Sequence, residues 1–574
     1  MPDGDFSLQA TILIDGSPLP EALQPQLEVV MVDDHLHLPA MFLLAFRDLD
    51  RTVLSTAKVR IGSKVVISGS ALGETRPKPL VTGEVTGIEA DYDSLGGRAV
   101  VRGYDPSHRF HRGRRTATYR NATDSDIAGI VARTAGVAIG TIDPSSATHD
   151  HVSQANISDW DFLKARAREI GYQVTFDDGK FQFRKPPQAS GAPTTSDYES
   201  KDPLQLVMGQ DLMEFRARIT SSEQVGEVEV RAWDQVNKKV MSARAPATAT
   251  NAKLKTNPVK LAGLFGNARL VSTDEPLDTD AAVETAAKAL GERIGSAFAE
   301  ATGVCRGNPG LRAGTPFSVS IVSPDFEGQY TATTTRHIFD RDGYRTEFAV
   351  SGQQDRSLLG LVGGGSGAGG ASGGGVDGVM IGQVTGVEDP SNLGRVKVKF
   401  PTLSADYESD WARVVSAGAG KATGQVFLPD VDDEVLVAFE HGDFRRPYVL
   451  GGLWSKPSAP SLGVGLFDKG HSKRQGVVSR SNHRLIFFDA DSDSGVAIMT
   501  GDKGLRISLN KTKQEIHIHA DGSVRIEGTQ GVTIKSDQAI SLEATGQLTL
   551  KGSQGVKIES SGIVDIDGSM IQLN

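Results

Sequence analysis

The chain has 574 residues, 23% charged and 38% apolar, with a net charge of −10 and one cysteine. That length holds three or four domains. The acidic balance argues against a general nucleic-acid partner, and Cys305 standing alone excludes an intrachain disulfide.

Glycine-rich and aromatic-poor composition suits a turn-rich, mainly β fold. The start, Met1-Pro2-Asp3-Gly4-Asp5, has neither the basic nor the apolar region of a secretory signal. Met41–Phe46 is strand-sized, and no apolar run approaches membrane-spanning length. Assembly in the cytoplasm, with export by another machine, is the expectation.

Residues 1–110 form a first strand block. Phe6, Leu8, Ala10, Ile12 and Ile14 alternate, and further strands are expected at 26–32, 41–47, 57–68, 80–90 and 97–103, enough for a small barrel. Residues 111–203 are helical, then hairpin. Thr123 caps a helix carrying Ile127, Ile130 and Val131 that ends at Gly136; Ser158 caps a second that ends at Gly171. Asp177-Asp178-Gly179 turns a hairpin between 174–176 and 180–183. A second strand block, 204–355, is interrupted by one helix near 279–302, with Val283, Ala287, Leu290, Ile294 and Phe298 on its core face.

A Gly-rich linker, 356–378, is clearest at 363–375. Residues 379–455 read as a five-stranded barrel, with strands at 379–387, 394–400, 411–416, 425–428, 434–440 and 447–450. A polar neck spans 456–499, and the terminal stretch 500–574 carries a repeat. Its apolar pairs are Ile516 and Ile518, Val524 and Ile526, Val532 and Ile534, Ile540 and Leu542, Leu548 and Leu550, Val556 and Ile558, and Val564 and Ile566. They recur every eight residues, with polar corners between. One octad makes one face and cannot form a core alone. Three chains winding about one axis solve this, giving an intertwined triple-stranded β-helix with those side chains inside. Strands stacked about 4.8 Å apart make a needle of roughly 35 Å.

The barrel carries Gly382-Gln383-Val384-Thr385, Asp389-Pro390, Leu393-Gly394-Arg395, Trp411-Ala412-Arg413, Phe427-Leu428-Pro429, Asp433-Glu434-Val435, Phe439–Asp443, Arg446-Pro447 and Leu450-Gly451. These closely resemble the oligonucleotide/oligosaccharide-binding-type (OB) barrel of the VgrG and baseplate-spike family. Arg112–Arg115, Ser158–Leu163, Gly171-Tyr172, Asp178–Lys180, Gly307–Pro309, Leu311–Gly314, Gly328–Tyr330, Arg336-His337 and Gly343-Tyr344 resemble the phage late-control gene D hub family. The resemblance implies two hub barrels, at 1–110 and 204–355, and a homotrimeric central spike of a contractile injection machine. Three chains with two similar barrels each would let a threefold spike meet a sixfold tube. Its implied partners are inner-tube and baseplate proteins, a PAAR-type tip protein at the C-terminal end, and the target membrane only on firing. The neck is too short for an inserted lysozyme domain, and the sequence stops at Asn574. A minimal spike of an extracellular phage-tail-like particle is therefore expected, ahead of a type VI VgrG carrying effectors non-covalently.

Candidate chemistry is sparse. His517 and His519 could meet as six imidazoles around a threefold axis, but the phase that turns Ile516 and Ile518 inward turns both histidines outward. No cofactor is expected. Asp489, Asp491, Asp493 and Gly495 resemble a calcium loop, yet Ser494 and Thr500 stand where its Gly and Glu belong. The basic run His108–Arg115 is expected to pack against carboxylates between subunits or at the tube. His-Glu-x-x-His, Gly-x-Ser-x-Gly and P-loop patterns are absent from the sequence. A tail-associated hydrolase would have to use the two histidines or Glu440–Asp443. A glycan-binding tailspike would need aromatic stripes, and 516–566 has no Phe, Tyr or Trp.

Overall fold

The computed structural model describes residues 10–353, 376 and 378–572, apart from 72–75, 95, 197, 236, 267, 274, 405, 463–464 and 492. Phe6 and Leu8 of the first expected strand, and the expected linker at 363–375, lie outside the described residues. Two compact units follow one another, Met1–Leu453 and Trp454–Asn574.

The first unit is built on an eleven-stranded sheet. In spatial order its strands are Leu212–Ile219, Ala299–Arg306, Gly343–Val350, Thr334–Asp340, Leu27–His35, Met41–Arg47, Gly96–Tyr104, Lys78–Asp93, Lys64–Gly69, Ala10–Ile14 and Ser17–Pro18. The two strand blocks are therefore joined edge to edge: Arg336 pairs with Asp33 and Phe339 with Val30, antiparallel. One apolar core gathers around Phe42, Phe46, Val65 and Leu80 and takes in Phe339 from the second block; the other gathers around Phe298, Phe317, Tyr330 and Phe348. The strand expected at 57–68 begins only at Lys64, because a short helix at Val53–Thr56 and a turn through Gly62 (φ 88°) use the preceding residues.

Between the blocks, helices Asp124–Thr134 and Asp159–Glu169 pack over a two-stranded sheet and a three-stranded sheet. Thr123 and Asp126 form a reciprocal capping box, and the Ser158 hydroxyl accepts the Asp161 N–H. Ile127 and Val131 are buried, whereas Ile130 turns outward at 39% exposure. The hairpin of Gln173–Asp177 and Lys180–Arg184 turns where expected, with positive φ at Asp178 and Gly179. The long helix is Asp280–Ser296, capped by Thr279. It stops before 302: Phe298 leaves the helix face and fills the hub core instead. Gly295 lets this helix press on the backbone of Thr248, whose carbonyl would stand 2.3 Å from an added Cβ.

The barrel's sheet runs Lys397–Lys399, Val379–Gly386, Glu434–Phe439, Pro447–Gly452, Arg413–Val414. Val384, Val398, Phe400, Val435, Val437 and Val449 fill it. The strand expected at 425–428 does not form; a small hairpin at 419–424 takes up the chain, and Val426, Phe427 and Leu428 stand exposed.

The Asp389 and Arg395 of the barrel motif have a structural task. Asp389 accepts the N–H groups of Ser391, Leu393 and Arg395 and two guanidinium bonds from Arg395. Those bonds, Arg395 foremost, hold its carboxyl well below the usual range. A depressed carboxylate stabilises the fold above its unfolded pKa and loses that contribution as pH falls through the folded value. Asp389→Asn should cost about 1.5–3 kcal/mol in urea unfolding at pH 7. The difference from the native chain should shrink in acid; a deficit that persists unchanged at pH 2 would refute the ionic account.

In the second unit, five antiparallel strands form a meander: Arg474–Val478, Arg484–Ala490, Asp493–Met499, Leu505–Asn510 and Glu515–Ala520. This sheet runs across the boundary expected between neck and needle at 499 and 500. Ile516 and Ile518 thus close the meander as its last strand rather than opening the octads.

From Asp521 to Gln572 a single copy forms no strand among the described residues. The expected interior of the needle is accordingly exposed in one copy. Ile516 is 71% exposed and Ile518 53%. Val524, Ile526, Val532, Ile534, Ile540 and Leu542 all stand in the open, as do Leu548, Leu550, Val556, Ile558, Val564 and Ile566. The physical reason is that one eight-residue face has no second face to pack on and no neighbouring strand to pair with inside its own chain.

Candidate functional site

Side chains alternate across a strand, so the pairing register decides which residues share a face. Val477 pairs with Leu485, Leu485 with Ile498, Ile498 with Ile507 and Ile507 with Ile518. Phe487, Val496, Leu509 and Ile516 make a second row on the same face. Apart from Gln475 at the edge of the second row and Asp489 opposite Ser494, that face is apolar, and it is open: Phe487 is 46% exposed and Ile507 45%. The reverse face carries Ile486 and Ala497, nearly covered, beside Ser508 and His517.

The octads prolong the apolar character. Val524, Val532, Ile540, Leu548, Val556 and Val564, the first members of the pairs, are 52–56% exposed. The second members, Ile526, Ile534, Leu542, Leu550, Ile558 and Ile566, are 62–68% exposed. Soluble monomers rarely expose contiguous apolar surface on this scale, and such surfaces mark interaction sites. Sequence reasoning missed the part before Ile516. The signal was present as the pairs Leu485 and Phe487, Val496 and Ile498, and Ile507 and Leu509, spaced by eleven residues rather than eight.

The other candidates are drawn into local bonding. His517 and His519 lie with ring centroids 6.1 Å apart on the face opposite Ile516 and Ile518. Arg506 stands 2.7 Å from the Nδ1 of His517, occupying the lone pair a cation would need, and His519 meets Asp521 at 3.0 Å. Asp489 and Asp493 belong to a hairpin, where Asp493 accepts from the Asn510 amide. Among the described residues no group of three or more His, Cys, Asp or Glu side chains is placed to hold a metal ion.

The basic run finds carboxylates within its own chain, where contacts between subunits or at the tube were expected. His108 and Arg109 meet Glu84, and Arg115 meets Asp159 at 2.9 Å. His111 lies against the Trp160 ring, and burial lowers its pKa to about 4. In the Glu440–Asp443 loop, Glu440 accepts the Tyr448 hydroxyl at 2.9 Å and Asp443 is bound by Arg445 at 2.7 Å. His441 is exposed, at φ 51°.

Cys305 is fully buried in the hub, and desolvation, with Asp211 adding to it, pushes its thiol up to about 12. The thiolate is the reactive form, so the folded chain should take up no thiol reagent at pH 8 within hours. Stoichiometric labelling without denaturant would contradict that placement.

Comparison with known proteins agrees with the barrel motif. Residues 380–454 match the family described as the type VI secretion system/phage-baseplate injector OB domain. A second match, the Alg8 N-terminal domain over residues 79–340, takes in Lys78–Asp93 and Thr334–Asp340 but omits strands of the same sheet on both sides. The Vibrio cholerae type VI secretion system spike protein VgrG3 is 39% identical over 84 residues, 13% of this chain and 8% of that protein. The Pseudomonas aeruginosa spike protein VgrG5 is 33% identical over 148 residues, 25% of this chain and 16% of that protein. The matched stretches thus span less than a fifth of either relative. A chain of the Francisella PdpA–VgrG complex shares the fold at TM-score 0.52 and 11% identity, covering 89% of this chain and 87% of that one.

The chain thus carries an injector-type OB barrel at residues 380–454 and shares a mainly β fold with the Francisella complex chain. The stretches matched in VgrG3 and VgrG5 are VgrG-like.

Proposed function

We propose that three copies of this chain form the central spike of a contractile injection machine, acting by stiffness and without catalysis of its own. The observation that carries the reading is the uncovered apolar surface of the second unit, from Val477 through Ile566. Each Val, Ile or Leu covered on assembly contributes about 1.5–3 kcal/mol, and three identical copies cover one another's faces while pairing the free backbone of 521–572. The hub region would seat on inner-tube and baseplate proteins, and a PAAR-type protein would cap the far end. The particle would be assembled in the cytoplasm and meet the target membrane only on firing.

Native mass measurement of the full chain tests the assembly. Three times the chain mass is expected; a monomer at micromolar concentration removes the reading. A type VI role with non-covalently carried effectors has the same assembly. It differs in retaining other proteins on the purified trimer, which a bare spike does not.

A further inference from the structure

The loop that follows the barrel strand Glu434–Phe439 carries a charge cluster that reaches into the hub insertion. Arg445 donates to Asp443, 2.7 Å away on its own loop, and to Glu169, 3.2 Å away on the helix Asp159–Glu169. Glu169 also receives Arg166 at 2.6 Å, Arg166 reaches Asp124 at 2.7 Å, and Asp124 meets His149 at 3.0 Å. Signs alternate from Asp443 through Arg445, Glu169 and Arg166 to Asp124. Asp124 and Arg166 are almost inaccessible, and the Glu169 side chain is 14% exposed. Burial by itself raises carboxylate pKa values; the guanidiniums outweigh it at Glu169 and Asp443, and the His149 hydrogen bond followed by Arg166 outweighs it at Asp124, so all three are held low.

Neighbouring contacts share the seam. Tyr407 and Ser153 hydroxyls meet at 2.8 Å, and the His151 Nε2 lies 3.1 Å from the Glu408 carbonyl. Ala155, on the hub strand Thr148–Ile157 that pairs with Arg115–Thr123, is buried in the barrel's own core cluster. Arg446 engages Asp278 and the Leu277 carbonyl of the second hub block.

We propose that Arg445 is the clamp that fixes the OB barrel on the hub insertion, through the buried ion chain Asp443–Arg445–Glu169–Arg166–Asp124. Buried ion pairs add little net stability over an apolar filling, but removing one partner strands a charge and is costly. Such a chain therefore suits fixing one orientation between two bodies, which a load-bearing joint needs. Glu275 and Arg293, also near the seam, belong to the second hub block and carry the same balance of signs. The clamp lies within one copy and does not depend on how many copies assemble.

The full chain with Ala155→Cys provides the test, because that thiol is reachable only when the barrel lifts, while the native Cys305 reports global unfolding. With the clamp intact, maleimide labelling of both thiols is slow. Arg445→Met should speed labelling at 155 at least tenfold and leave Cys305 unchanged; Glu169→Gln should act in the same direction. Because both act through one pair, the double variant should label no faster than the faster single one. Arg109→Met, which breaks the Glu84 pair elsewhere in the hub, should have no effect. Unchanged labelling in Arg445→Met overturns the proposal, as does equal acceleration at Cys305, which would make Arg445 a support of the whole fold.

Discussion

Ile534→Asp is expected to leave the chain folded but unassembled. In a single copy Ile534 is 67% exposed, so a carboxylate there costs the isolated chain little. In a threefold needle the same change forfeits three buried side chains, ~5–9 kcal/mol, and brings three like charges together away from water. Carboxylates in such a site repel and resist ionisation, adding to the loss. Lys535→Asp makes a comparable surface change one residue on, where strand alternation turns the side chain outward. It should leave the trimer intact. Native mass spectra of both variants decide the matter: a normal trimer from Ile534→Asp removes the inward placement of the octads, and loss of assembly in both would point to charge rather than facing.

The second large effect concerns the joint within the hub. Arg312→Met should destabilise the first unit by about 3–5 kcal/mol, because it strands a buried carboxylate. Asp34, on the strand Leu27–His35, is 6% exposed and accepts the Arg312 Nε at 2.7 Å and the Ala313 N–H at 3.3 Å. Arg312 also donates to the Pro79 carbonyl at 3.1 Å. Asp34 and Pro79 belong to the first hub block and Arg312 to the second, so the contact rivets the blocks across the same seam that the Asp33–Arg336 strand pairing closes. Urea unfolding at pH 7 reads the loss. Asp34→Asn in the Arg312→Met background should recover part of it, since the stranded charge is then gone. A single Arg312→Met variant within about 1 kcal/mol of the native chain would show the pair to be dispensable.

Local physics was legible in particular residues. Thr123 and Ser158 could be read as helix caps because their hydroxyls satisfy N–H groups three residues away. Asp178-Gly179 could be read as a turn because both residues tolerate positive φ. Where a helix ends or a strand fails was less legible. Phe298 has helical spacing, but it is taken by a core whose members run from Leu206 to Val350. Phe427 and Leu428 look like strand residues and are left in the open.

By itself the sequence determined the mainly β class, the injector-type barrel motif and an octad surface that one chain cannot cover. Each depends on period or on neighbours close along the chain. Only the tertiary structure decided that the hub blocks share one sheet through Phe339 and Val30, and that Arg445 meets a glutamate 276 positions away. It also decided that the apolar face begins at Val477 rather than Ile516. Those outcomes rest on pairing register and on buried charge. Both are settled by which distant surfaces exclude water together; the apolar pairs from Leu485 to Leu509 mark the face locally but not which strands pair.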